Sequence, residues 1–164
     1  MSSTMNRPSQ THVQPDPTWR TILECAAVEV FQMMAGARLV PSPTPTADPS
    51  GKQTAMVGMA GALCGMTTIR CTSATAEKLA SLMLGGDAAS KPSTVRDALG
   101  ELCNMVAGNF KSKISTLSDH CMLSVPTVIT GEDYVMQTPD PNEGFQVALA
   151  FEGEPVWVTI VIHS

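Results

Sequence analysis

The sequence predicts one domain built of helices and β-hairpins, in two related halves that each run helix first and hairpin second. Three observations predict this. The chain has 164 residues, one domain's worth at about 150 residues per domain. Hydrophobic residues make up 43% and charged residues 15%, enough to bury a core. Two long stretches, residues 18–36 and 92–114, repeat apolar residues at three- and four-residue steps, and each is followed at some distance by two short apolar runs.

Composition narrows the classes. Aromatics are 4% while methionines number 11, so an aliphatic, sulfur-rich core is expected. The formal net charge of −5 argues against nucleic acid, whose binding depends on Lys and Arg against phosphate. Five cysteines, Cys25, Cys64, Cys71, Cys103 and Cys121, include no C-x-x-C pair. They read as reduced, mostly buried thiols of a cytoplasmic protein. No Cys/His cluster has the spacing of a metal site, so none is expected. Residues 1–16 are polar, without the apolar segment of a signal peptide, and are expected to be a disordered tail before a single domain at 17–164. The longest uncharged apolar run, 55–66, is short of the roughly 18–20 residues a membrane span needs.

In chain order, Leu23, Ala27, Val30 and Met34 share one face of the first helix, and Gly36 is placed to stop it. A short strand is expected at 38–40, then a proline-rich loop over 41–51. Residues 54–61 and 64–71 read as two strands; the second ends in β-branched alternation through Thr67, Thr68 and Ile69. The glycines between them match no phosphate-binding pattern. Thr72 or Ser73 caps a helix running to Leu84, ended by Gly85 and Gly86. A linker over 87–92 follows, with Pro92 suited to the first turn of the next helix. After that helix come a strand at 122–129 broken or edged by Pro126, a loop at 136–144, and a closing hairpin of 145–151 and 156–162.

The second long helix sorts its residues onto two faces. Val95, Leu99, Leu102, Val106 and Phe110 form an apolar stripe. Asp97, Glu101, Asn104 and Gly108 form a polar stripe on the opposite side, flanked by the small residues Ala98, Gly100 and Ala107. So bare a polar face would let a second surface approach closely. The first long helix can be laid over the second: Glu29 falls on Glu101, Gln32 on Asn104, Met33 on Met105, Ala35 on Ala107 and Gly36 on Gly108.

The run D-x3-E-x2-N at Asp97, Glu101 and Asn104, then M-V-A-G-N-x-K at 105–111 and Pro126 beyond it, resembles the CheC/CheX/FliY family of CheY-P phosphatases. The resemblance runs from about residue 18 to the end, outside the 41–53 loop. It implies an α+β fold of the CheC type, an antiparallel sheet with long helices packed on it. It implies a phosphorylated CheY-like receiver as partner, no cofactor of the chain's own, and a magnesium ion supplied by the receiver. Asn104 would orient the attacking water and Glu101 would pair with a lysine of the receiver. Asp97, Gly108 and Lys111 would serve partner binding. The two-site CheC type carries E-x2-N in both halves, whereas here the first half has Glu29 and Gln32, a relic or a weak second site. That, with the short length, fits the one-site CheX type, which implies a homodimer. The chemistry is coherent: a carboxamide donates and accepts hydrogen bonds and adds no charge to repel phosphate.

The alternative reading is a non-catalytic receiver-binding adaptor or a flagellar-switch component of the same fold. Single residues have plainer roles. Met33, Met34 and Met105 read as core, Cys103 as packing, and His120 as structural, having no triad partner in view. No motif supports nucleophilic catalysis by this chain.

Overall fold

A computed structural model describes residues 16–42, 52–86, 91–131 and 143–163. The expected tail, and most of the 41–51, 87–92 and 136–144 connections, lie outside the described residues. The described elements run α1 (Trp19–Ala35), β1 (Leu39–Pro41), β2 (Lys52–Gly61), β3 (Cys64–Thr72), α2 (Ser73–Leu84), α3 (Pro92–Ser112), β4 (Cys121–Leu123), β5 (Thr127–Gly131), β6 (Gly144–Phe151) and β7 (Glu154–His163).

Local chemistry sets the ends of these elements. Gly36 takes the left-handed conformation, φ 60°, and closes α1 as the sequence predicts. The Thr72 hydroxyl accepts the Thr75 N–H at 3.1 Å and caps α2. Pro92 opens α3 in its first turn, where a missing N–H costs nothing. Glu152 and Gly153 both have positive φ, the turn that joins β6 to β7 with the right twist. The first strand is one residue later than expected. The run at 122–129 is two strands, because residues 124–126 leave the ladder.

The strands form a seven-stranded antiparallel sheet in the order β1-β6-β7-β3-β2-β4, with β5 also on β2. That order reads the same from either end. The second strands of the two hairpins, β3 and β7, meet at the centre, their first strands lie outside them, and the strand after each long helix is outermost. Each outer strand pairs with the hairpin of the other half: β1 with β6, and β4 and β5 with β2. The halves are therefore interlocked rather than side by side.

Register carries one apolar row straight across, from Ala55 to Ile69 to Val158 to Val147. These residues join Leu23, Val30 and Phe31 of α1 and Leu99, Leu102, Val106 and Phe110 of α3 in one buried cluster. The Trp19 and Phe110 rings meet edge to face at 6.1 Å and fasten α1 to α3. The core is aliphatic as expected and holds the thiols of Cys71, Cys103 and Cys121, but its methionines sit mainly at the rim. Met59 is fully inside, Met34, Met83 and Met105 are half-buried, and Met33, expected in the core, is exposed. Among the described residues no helix is long and apolar enough to cross a membrane.

Candidate functional site on the exposed face of α3

α3 is seated on the sheet by its apolar stripe, all five members of which are buried. The thiol of Cys103 reaches down between β2 and β3, 3.6 Å from the Ala55 carbonyl and 3.5 Å from that of Thr67. Burial pushes that thiol up to about 12, so it stays protonated and acts as packing. With the helix fixed this way, the opposite stripe must face outward. Asp97 and Glu101 are exposed, and Asn104 and Gly108 are half-buried. Among the described residues, none of the Asp97, Glu101 and Asn104 side chains takes a hydrogen bond or ion pair from another.

The small flanking residues have a different job from the expected one. Ala98, Gly100 and Ala107 are buried, so the close approach they permit is made by this chain itself. At Gly100, an added Cβ would lie 3.2 Å from the Cβ of Pro126. Gly108 has more room, its nearest neighbour being Leu123 at 3.8 Å from such a Cβ. β4, β5 and the residues between them thus lie beside α3 and wall one side of the site. Between them is an open cleft of about 370 Å3, lined by Arg96, Asp97, Gly100 and Glu101 on the helix and by Val125, Pro126 and Val128 opposite.

Lys111, expected to serve partner binding, is half-buried. Its ammonium donates to the Cys121 carbonyl and ties the last turn of α3 to β4. His120 lies exposed in the turns before β4. No group of three or more His, Cys, Asp or Glu among the described residues could hold a metal ion.

The first helix repeats the pattern without repeating its openness. Glu29 and Gln32 are both exposed on α1. The Glu29 carboxylate, however, accepts the Asn109 amide at 2.9 Å and faces the Lys113 ammonium at 2.9 Å. The Asn109 hydrogen bond, and then Lys113, hold its carboxyl below the usual carboxylate range. Sequence reasoning did not single out Asn109 or Lys113, because neither follows the periodicity of α1. It also passed over Arg96, Val125 and Val128, which only the fold brings together.

The family model described as chemotaxis phosphatase CheX matches residues 53–150. The CheY-P phosphatase CheX of Thermotoga maritima is 34% identical over 79 residues, covering 48% of this chain and 51% of that protein. The chain thus spans about half the length of the curated relative it matches. Among solved structures, chemotaxis protein CheX from Vibrio vulnificus superposes with a TM-score of 0.74 at 20% identity, over 88% of this chain and 96% of that one. A CheX-CheY-BeF3-Mg2+ complex from Borrelia burgdorferi gives 0.69 at 21% identity, over 89% and 98%. At such identities these structures speak for the fold.

Proposed function

Since the chain belongs to the chemotaxis phosphatase CheX family, we propose that it dephosphorylates a CheY-like receiver by hydrolysing the receiver's aspartyl phosphate. One observation carries the reading: α3 offers a carboxylate and a carboxamide three residues apart on one outward face, with no partner for either among the described residues. Water attacks phosphorus, the bond to the receiver's aspartate breaks, and orthophosphate leaves. The aspartyl phosphate is already activated, and magnesium is proposed to come with the receiver, a reading supported by the presence of Mg2+ in the CheX-CheY-BeF3-Mg2+ complex from Borrelia burgdorferi.

What this chain adds is aim. The Asn104 amide accepts from, or donates to, the attacking water and brings no charge near the phosphoryl oxygens. Glu101 lies one turn before it and pairs with a cation of the receiver, fixing the register of docking. Asp97 adds a second carboxylate on the same stripe. Gly108 leaves the stripe's far end low, while Lys111 acts through β4 and not by contact. Glu29 and Gln32 are proposed to contribute no turnover, since Glu29 is already engaged by Asn109 and Lys113.

A homodimer in the cytoplasm is part of the proposal. The outer edge of β5, the uncharged run Thr127, Val128, Ile129 and Thr130, supports a strand-to-strand contact with a second copy. The five free cysteines suit a reducing compartment. The test is turnover. Added at a tenth of the concentration of a CheY receiver phosphorylated with acetyl phosphate, the protein should speed loss of the phosphate through many cycles. Binding without faster loss would favour the adaptor reading instead.

A further inference from the structure

We propose that residues 124–126 form a rigid ledge beside Glu101, and that Val125 on it is a specificity contact seating an apolar side chain of the partner. This rests on the receiver reading above and names what else that partner must carry. Val125 is 85% exposed, the barest large hydrophobe among the described residues. A lone exposed valine needs no explanation. This one differs because its backbone is pinned on both sides. Before it, the Ser124 N–H donates to the Gly58 carbonyl at 2.9 Å, and the Gly58 N–H donates to the Ser124 hydroxyl at 2.8 Å. After it, the Pro126 ring rests against the bare backbone of Gly100.

Proline also restricts the residue before it to extended backbone, and a β-branched side chain has few rotamers. Val125 is therefore held out in one orientation and loses little freedom when covered. It lines the same cleft as Asp97 and Glu101. One wall of that cleft carries two carboxylates, Asp97 and Glu101, against the single cation Arg96, and the other, of Val125, Pro126 and Val128, is apolar. The fitting partner presents a basic side chain with an apolar neighbour, entering together. Charge on one wall selects the approach, and Val125 rewards the correct neighbour.

The test is steady-state hydrolysis of acetyl-phosphate-charged CheY receiver by the full chain and by Val125→Ser, Asn104→Ala and Leu82→Ser. Leu82 is an exposed control on α2, away from the cleft. Val125→Ser should raise KM about tenfold, the loss typical of a truncated interface anchor, with kcat and thermal midpoint held. Asn104→Ala should lower kcat instead, and Leu82→Ser should change neither. An unchanged KM in Val125→Ser, with Asn104→Ala still impaired, overturns the ledge and leaves the phosphatase reading standing. If the parent shows no turnover, that reading falls, and the Kd for beryllofluoride-charged receiver decides the ledge. A Kd about tenfold weaker in Val125→Ser sustains it; an equal Kd, or no binding by the parent, overturns it.

Discussion

Gly100 shows how one absent methyl group shapes the site. A helix interior normally disfavours glycine, by about 0.5–1 kcal/mol relative to alanine. Here the vacancy is filled by Pro126, whose neighbour Ser124 is tied to β2 and cannot retreat. Gly100→Val should therefore destabilise the fold by about 1–3 kcal/mol through overpacking, read by chemical denaturation. It should also push residues 124–126 outward and weaken receiver binding. The residues that periodicity exposes, Asp97, Glu101 and Asn104, were legible in the sequence because a helix with one apolar stripe has only one way to face. Val125 and Arg96 were not, since their place in the cleft depends on β4 and β5 crossing beside α3. The tie from Lys111 to β4 was not legible for the same reason: its carbonyl partner comes close only in the folded chain.

Among the elements, α1 and α3 share a pattern and differ in what surrounds it. The glutamate of α3 is open, while that of α1 is engaged by Asn109 and Lys113 from the end of α3. This makes Glu29 a clasp between helices. Its carboxyl is held low when folded, so its contribution is present at neutral pH and lost as pH falls through the carboxylate range. The stability gap between the parent and Glu29→Gln should therefore close between about pH 6 and about pH 3, measured as thermal midpoints across that series. Deeper between the same helices, Phe110→Ala removes a fully buried ring that meets Trp19 edge to face. It should cost about 3–5 kcal/mol and loosen α3 on the sheet. Helix existence and limits were readable from apolar spacing, Gly36, Thr72 and Pro92. The break at Pro126 could be placed, but not the two separate strands it creates.

At the scale of the whole molecule, the sheet explains why the halves cannot be treated as independent modules. Each half lends its outer strand to the other's hairpin, an exchange that pairing rules applied to neighbouring segments would not find. The two hairpins were legible from alternation and turns; the palindromic order was not, because strand exchange leaves no local mark. The interlocked core also sets the chemistry of the cysteines. Burial pushes Cys71 and Cys103 up to about 12, while Cys25 and Cys64 are exposed. Alkylation of the native protein at mildly alkaline pH should therefore label Cys25 and Cys64 quickly and leave the buried thiols for the unfolded chain. With folded values raised, the buried thiols contribute stability below the ordinary thiol range that is lost as pH rises above about 8.5.

The central claim is that Asn104, carried on the open face of α3, directs water at a phosphoryl group held by another protein. The most direct measurement is the first-order loss of aspartyl phosphate from a charged CheY receiver, with the parent protein and with Asn104→Ala at equal folded concentration and saturating receiver. The account predicts a decrease on the order of 10²-fold in the catalysed rate with docking retained. An Asn104→Ala protein that turns over as fast as the parent would contradict it.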